Sequence, residues 1–180
     1  TRPRIAVYGS STVAEGTPAW RLAHDLGAEL ARAGATVITG GYGGIMAACS
    51  RGANEAGGHV IGVTVELFEK RGPVNPWVIE RVHTSDLYER LRYIVQTADG
   101  FVAVPGSIGT LNEILLTWTL MSAGGRARAP LVLLGGPWRG WLEAHRHPEL
   151  VVPHLFDHLA VADTPSEATR LALAGWAAVH

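Results

Sequence analysis

Short apolar runs alternate with helical segments along almost the whole chain, and this alternation constrains the fold more than any other feature. Most of the runs are rich in β-branched residues; they are RIAVYG, ATVITGG, HVIGVTV, VIERVHT, GFVAVPG, APLVLLGG and LAVAD. Strands that are apolar on both faces are typical of parallel sheets covered by helices on both sides. The sequence therefore predicts an α/β, doubly wound, Rossmann-like fold with about seven mainly parallel strands.

Length and charge narrow the class of protein further. The chain has 180 residues, which predicts one domain over residues 1–180, and its charged fraction of 17% is below the roughly 25% of an average domain. Such a composition favours a large core and a buried subunit interface. The net charge of −1 comes without a basic patch, so we expect no nucleic-acid partner. The apolar runs are shorter than the ~20 residues of a membrane span, so we expect no membrane partner.

Single residues exclude several kinds of chemistry. Cys49 is the only cysteine, which excludes an internal disulfide and fits a cytoplasmic location. The only lysine is Lys70, in the charged stretch EKRG, where nothing suggests the Schiff base of a pyridoxal-phosphate enzyme. Eight histidines are present, but no cysteine or acidic pattern completes a zinc site. We therefore expect neither a metal nor a cofactor.

Local signals predict where several helices begin. Thr17 is a good N-cap before Pro18, and Ser85 is a candidate N-cap with Asp86 in the first turn. We expect a further helix from Thr110. The stretch ELFEKRGPVNPW contains two prolines and is predicted as a polar loop.

Three strand-to-helix turns are rich in small residues. We call them the first glycine loop (Tyr8–Thr12, YGSST), the second glycine loop (Thr39–Met46, TGGYGGIM) and the third glycine loop (Pro105–Thr110, PGSIGT). In a parallel sheet these turns lie at the carboxyl edge, where ligands bind. Any one of them alone is explained as a tight turn. Three at one edge predict a phosphorylated ligand held by backbone N–H groups and helix N-termini.

The loops do not match the common dinucleotide or triphosphate motifs. The first loop lacks G-x-G-x-x-G, and in the second loop Met46 stands where the third small residue belongs. No glycine is followed by lysine and then serine or threonine, so there is no Walker A motif. A mononucleotide or a sugar phosphate is the better expectation.

Three motifs resemble those of the LOG (Lonely Guy) family. TGGYGGIM resembles its G-G-x-x-G-[LI]-M loop, PGSIGTLNE resembles P-G-G-x-G-T-x-x-E, and DLYERLRYI resembles M-H-x-R-K. The resemblance implies a homodimeric, metal-free phosphoribohydrolase. Such enzymes cleave the N-glycosidic bond of a nucleoside 5′-monophosphate, a cytokinin ribotide or AMP, to the free base and ribose 5-phosphate.

The resemblance also implies roles for particular residues. Arg90 and Glu113 would be the catalytic pair, with the carboxylate stabilising the oxocarbenium-like ribose and activating water. The third glycine loop would hold the 5′-phosphate, and the other two would complete the pocket. The implied substrate-binding residues are Gly9, Ser10, Ser11, Gly40, Gly41, Gly43, Gly44, Met46, Gly106, Ser107, Ile108, Gly109, Thr110 and Thr119.

The residues themselves leave alternatives open. Thr110 and Glu113 form S/T-x-x-E, a capping box that needs no catalytic role. Arg90 is also compatible with an exposed ion pair on its own helix. Ser107 and Leu91 stand where the family motifs have glycine and lysine. These two differences favour the alternative of a non-catalytic carrier of a nucleotide or of molybdenum cofactor. The motifs do not identify which base would be cleaved.

Overall fold

The computed structural model describes residues 2–70 and 72–177, which form one seven-stranded parallel sheet with helices on both sides. The strands are β1 (Arg4–Tyr8), β2 (Thr36–Thr39), β3 (Val60–Val65), β4 (Glu80–Thr84), β5 (Gly100–Ala103), β6 (Leu131–Leu134) and β7 (Leu159–Ala162). The helices are α1 (Pro18–Arg32), α2 (Ile45–Glu55), α3 (Glu66–Glu69), α4 (Leu87–Thr97), α5 (Ile108–Ser122), α6 (Pro137–His145) and α7 (Pro165–Ala177), and a 3₁₀ helix spans Pro153–His158. The predicted Rossmann-like class is confirmed.

The strand order is β4-β3-β2-β1-β5-β6-β7, and all neighbouring pairs are parallel. The chain winds outward from β1 in one direction and from β5 in the other. The topological switch point therefore lies between β1 and β5. Ligands of doubly wound sheets bind at that point, and the first and third glycine loops leave the sheet there.

Each face of the sheet has its own apolar core. Ile5 and Val7 of β1 contribute to the core under α1, α2 and α7, whereas Ala6 and Tyr8 contribute to the core under α4, α5 and α6. This alternation follows from the two-residue period of a strand. Tyr8 is thus placed beneath α5.

The helix starts differ in part from those predicted. Thr17 caps α1 as expected and accepts a hydrogen bond from the Trp20 N–H. The N-cap of α4 is Asp86 rather than Ser85, since the Asp86 side chain accepts the Glu89 N–H. Ser85 is bonded instead to the Glu89 carboxylate. The first four residues of the predicted polar loop form α3.

The start of α5 corrects a prediction that bears on the site. The helix begins at Ile108, not at Thr110, and its N-cap is Ser107. Thr110 is therefore the third helical residue, and Glu113 lies in the second turn. The capping-box explanation of Glu113 is wrong, because a capping box requires the threonine at the N-cap position.

Two absences concern the described residues only. Among residues 2–70 and 72–177, no group of three or more His, Cys, Asp or Glu side chains is placed to hold a metal ion. In the same part of the chain, no helix has the length and apolar character needed to cross a membrane.

Candidate functional site

The three glycine loops meet above the switch point of the sheet. The Ile45 N–H, at the end of the second loop, donates to the Ser10 carbonyl of the first loop over 2.8 Å. Gly44 has φ +63°, and a Cβ there would overlap the Ser10 carbonyl oxygen, so this contact requires glycine. On the other side, a Cβ at Gly106 of the third loop would lie 3.0 Å from the Ser10 nitrogen. The first loop is thus enclosed by the other two.

A buried polar network holds the second loop in place. The Asn75 side chain donates to the Tyr42 carbonyl over 3.0 Å, and the Asn75 N–H donates to the Gly41 carbonyl over 2.9 Å. The Tyr42 hydroxyl donates to the Val65 carbonyl over 2.8 Å and accepts the Val65 N–H over 3.0 Å. Because these buried polar groups pair with one another, the protein's own hydrogen bonds hold the loop in this conformation.

Arg90 is buried at the edge of the second loop, so the alternative of an exposed ion pair is wrong. Its Nε donates to the Val63 carbonyl of β3 over 2.8 Å, and its guanidinium lies 5.6 Å from the Phe68 ring centroid. A Cβ at Gly40 would overlap the Arg90 Nη2. Glycine at position 40 therefore allows the arginine to lie flat against the loop.

Glu113 faces Arg90 from α5. The distance from Arg90 Nη1 to Glu113 Oε1 is 3.6 Å, and the side chains are only 5% and 14% exposed. This contact is longer than a hydrogen bond. The Arg90 terminal nitrogens and the Glu113 carboxylate therefore retain hydrogen-bonding capacity for a ligand that contacts both.

The environment of Glu113 suits proton transfer. Burial raises the pKa of its carboxyl to about 7, and the Arg90 charge opposes this effect only in part. A carboxyl with a pKa near neutral exchanges protons readily at physiological pH, as a general acid or base requires. The pair thus combines a fixed cation with an acid–base group.

The third glycine loop presents polar groups that the protein does not use. Thr110 is only 2% exposed, and its hydroxyl makes no hydrogen bond to the described residues. Ser107 has ordinary extended backbone angles, φ −94° and ψ −162°, and its side chain makes no capping bond. Serine in place of the family's glycine therefore causes no backbone strain. Ile108 and Gly109 are exposed in the first turn of α5.

Some of the other predicted site residues lie at the glycine loops, and one does not. Met46 is buried with its sulfur against Gly40, so it supports the second loop. Ser11 of the first loop and Gly43 of the second loop are exposed. Thr119 is not brought to Glu113. It is exposed and lies six residues further along α5, about 120° around the helix from the carboxylate.

The sequence reasoning missed three residues that contact the pair directly or through one further side chain. Phe68 covers Arg90 from α3. Thr117 donates to the Glu113 carbonyl from within α5, and the Tyr8 hydroxyl of β1 bonds to the Thr117 hydroxyl. Thr117 shares a helix face with Glu113 at i+4, so helical spacing would have indicated it. No sequence signal marks Phe68, since its place depends on how α3 packs.

Comparisons with known proteins agree on the family. Residues 2–124 match the model of the SLOG cluster4 family. The chain is 30% identical to a Mycobacterium tuberculosis cytokinin riboside 5′-monophosphate phosphoribohydrolase, over 92% of this chain and 91% of the relative. It is 35% identical to the Oryza sativa subsp. japonica cytokinin riboside 5′-monophosphate phosphoribohydrolase LOG, over 64% of this chain and 49% of that protein.

Solved structures show the same fold. One is the molybdenum cofactor carrier protein of Chlamydomonas reinhardtii, with a TM-score of 0.70 and 27% identity over 94% of each chain. Another is TM1055, with a TM-score of 0.74 and 28% identity, covering 93% of this chain and 96% of that one. The structural neighbours thus include a carrier, whereas the sequence relatives named above are hydrolases.

Proposed function

The chain belongs to the SLOG cluster4 family, and from that premise we propose that it is a phosphoribohydrolase of nucleoside 5′-monophosphates. Its substrate is a cytokinin ribotide or AMP, and its products are the free base and ribose 5-phosphate. The observation that carries the proposal is the buried Arg90–Glu113 pair beside three converging glycine loops. The similarity to named phosphoribohydrolases supports it.

The third glycine loop binds the 5′-phosphate in this proposal. The first N–H groups of α5 have no intrahelical partners, and the positive end of the helix dipole favours an anion there. The hydroxyl of Thr110, which has no hydrogen-bond partner among the described residues, adds a donor. Ser107 supplies a second hydroxyl at the N-cap. These groups support binding even though Leu91 replaces the lysine of the family motif.

The reaction exchanges the C1′–N bond for a C1′–O bond. As the bond to the base breaks, its electron pair moves to the base nitrogen and positive charge develops on the ribose. The Glu113 carboxylate stabilises that charge and takes a proton from the attacking water. Water thus supplies a hydroxyl to C1′ and, overall, a proton to the base. Arg90 orients the carboxylate and binds phosphate or ribose oxygens through its planar fork.

In this proposal a cleft beside α3 receives the nucleobase. A cleft of about 420 Å³ lies between α3 and the start of α4, the two elements that carry Phe68 and Arg90. Its lining includes Glu66 and Lys70, one acceptor and one donor, together with apolar Leu67. The cleft therefore offers both hydrogen bonds and apolar surface to a base and its substituent.

Incubation with a panel of nucleoside 5′-monophosphates, including AMP and N6-isopentenyl-AMP, tests the proposal. We expect release of free base and ribose 5-phosphate by the wild type. Glu113→Gln should fold but lose activity by on the order of 10³-fold, because it removes the base and the stabilising charge. The matched control is Glu143→Gln, an exposed helical glutamate outside the site, which should leave activity unchanged. Absence of release from every nucleotide would overturn the proposal.

A carrier of molybdenum cofactor or of a nucleotide is the second candidate, favoured by the structural neighbour from Chlamydomonas reinhardtii. A carrier has no use for an acid–base group with a pKa near 7. If a ligand raised the melting temperature of the wild type and of Glu113→Gln equally, with no release of base, the carrier would be the better explanation.

We further propose that two copies of the chain associate through the exposed side of α5. Ile108 and Leu115 are 84% and 44% exposed on this helix, and Tyr88 is exposed on the neighbouring α4. Ile108 and Leu115 are seven residues apart and so share one face of α5, and exposed apolar side chains grouped on one face mark interaction surfaces. A cytoplasmic location and the lack of a nucleic-acid partner stay predictions from the sequence.

A further inference from the structure

A buried tyrosine hydroxyl lies beneath the catalytic helix. Tyr8 ends β1, and its hydroxyl is 3.0 Å from the Thr117 Oγ1. Thr117 Oγ1 lies 2.8 Å from the carbonyl of Glu113, to which it donates. Since Thr117 has one hydroxyl proton and gives it to Glu113, Tyr8 must be the donor in its own bond to Thr117. The sheet is thereby connected to the second turn of α5 by a directed chain of two hydrogen bonds.

We propose that Tyr8, acting through Thr117, is a positioning residue that fixes the second turn of α5 and so holds the Glu113 carboxylate opposite the Arg90 guanidinium. The inference rests on the proposed function for its catalytic meaning. Whether the surroundings of Glu113 depend on the Tyr8 hydroxyl does not depend on that function and can be tested without it.

A packing role alone does not account for the hydroxyl. The Tyr8 ring stacks on Phe101 at 5.8 Å in an apolar core, where phenylalanine would fill the same space. Burying a hydroxyl costs free energy unless it is paired, so its only benefit here comes from the bond to Thr117. That bond ends on the one helix that carries the acid.

A second helix provides an internal comparison. Thr97 of α4 donates to the Tyr93 carbonyl over 2.7 Å, the same i to i−4 bond that Thr117 makes to Glu113. No tyrosine hydroxyl binds Thr97 in the described part of the chain. The added bond from the sheet is what distinguishes α5, and Thr97 and Tyr93 are matched controls.

Burial and the nearby charged groups keep the Tyr8 hydroxyl protonated, so that it can donate to Thr117. Burial raises the pKa of Tyr8 well above its usual range, and the Glu113 carboxylate raises it further. The hydrogen bond to Thr117 and, less strongly, the charges of Arg126, in the segment after α5, and Arg90, on α4, oppose this rise in the pKa without reversing it. Tyr8 therefore stays protonated near neutral pH, where Glu113 titrates.

The test measures the Glu113 carboxyl directly. We would label glutamate with ¹³C at the carboxyl, identify the Glu113 signal by its absence in Glu113→Gln, and titrate the wild type, Tyr8→Phe and Thr117→Val by NMR. Without the chain of hydrogen bonds the helix turn relaxes and water reaches the carboxyl, so its pKa should fall from about 7 to about 6 or below. Thr117→Ser keeps the hydroxyl and should restore the wild-type value.

The controls and the activity separate the possible outcomes. Tyr93→Phe and Thr97→Val should leave the Glu113 pKa unchanged. In the hydrolase assay, Tyr8→Phe should lower kcat on the order of tenfold with KM unchanged, and shift the acid limb of the pH profile to lower pH. An unchanged Glu113 pKa in folded Tyr8→Phe and Thr117→Val would overturn the inference. A shifted pKa in a protein that hydrolyses no nucleotide would support the positioning role and reject the proposed function.

Discussion

At the scale of single residues, the site depends on a competition between burial and charge at Glu113. A neighbouring arginine usually lowers the pKa of a carboxyl. Here the Arg90 Nη1 is 3.6 Å from Oε1, too far for a hydrogen bond, while the side chain is almost removed from water. Burial therefore dominates, and the pKa rises to about 7. Burial destabilises the charged form of this carboxyl and so brings its pKa near neutral, which suits a general acid or base.

This cost predicts a pH-dependent gain in stability for Glu113→Gln. In the unfolded chain Glu113 loses its proton near pH 4.5, and in the folded protein near pH 7. Between these values the folded state binds more protons than the unfolded state, so the wild type loses stability as pH rises. The Glu113→Gln variant does not lose stability in this way, because glutamine does not titrate. We expect the variant's free energy of unfolding to exceed that of the wild type by about 3 kcal/mol at pH 8 and by little at pH 4.

Urea unfolding at intervals from pH 4 to pH 8 measures this difference. Glu143→Gln, at an exposed position, should give a small difference that does not vary with pH. If the difference in free energy of unfolding between Glu113→Gln and the wild type stayed constant or decreased as pH rose, burial would not be the larger influence on the pKa of this carboxyl.

At the scale of elements, the second glycine loop and α4 determine one another's position. The loop is fixed to β3 and to Asn75 by buried hydrogen bonds, and Arg90 is fixed to β3 by its bond to Val63. The two meet at Gly40, where the backbone contacts the guanidinium without an intervening Cβ. Because the loop is held by several buried hydrogen bonds, the end of the Arg90 side chain is the part that can move if a Cβ is added at Gly40.

Gly40→Ala should therefore displace Arg90 rather than the loop. We expect kcat/KM for the best nucleotide of the panel to fall on the order of 10²-fold, the effect of misplacing a site group by about 1 Å. The control is Gly140→Ala in α6, where a Cβ meets nothing within 4 Å. Steady-state kinetics and thermal unfolding of both variants check the prediction. Full activity in Gly40→Ala would mean that the position of Arg90 is not critical.

At the scale of the whole molecule, α5 is an unusual surface helix. Its outward positions repeat at spacings of four and three residues and carry no charge; they are Ile108, Asn112, Leu115, Thr119 and Ser122. What distinguishes α5 from an ordinary surface helix is that this stripe of positions carries two large apolar side chains and no charged one. Thr119, which does not reach Glu113 in its own chain, lies on this stripe. A helix buried on one side and uncharged on the other supports the proposed pairing with a second copy.

Leu115→Glu should break this association. A carboxylate on the stripe would be desolvated and would face its symmetry-related counterpart across the interface. Light scattering during size exclusion should give the mass of two chains for the wild type and of one chain for the variant. The control Leu150→Glu changes an exposed leucine outside α5 and should remain a dimer. A monomeric wild type would contradict the proposed association.

The sequence by itself determined the strands, the sheet class and the edge at which the glycine loops lie. Each of these depends on local information, since apolar runs, turn residues and caps act over a few neighbouring positions. Pro18 after Thr17 defined the start of α1 for this reason. The motifs that resemble the LOG family likewise identified Arg90 and Glu113 as the residues to examine, because motif residues keep their spacing along the chain.

Only the tertiary structure decided what surrounds those two residues. α5 begins at Ile108 and not at the predicted Thr110, so there is no capping box and Glu113 lies in the second turn. Arg90 was compatible with a surface ion pair until β3 and Phe68 were seen to bury it. The burial of both side chains, and with it the pKa of the Glu113 carboxyl, depends on residues distant in sequence. A local sequence pattern does not indicate which strand will lie beneath a helix. For that reason Tyr8, 105 positions before Glu113, is visible only in the folded chain.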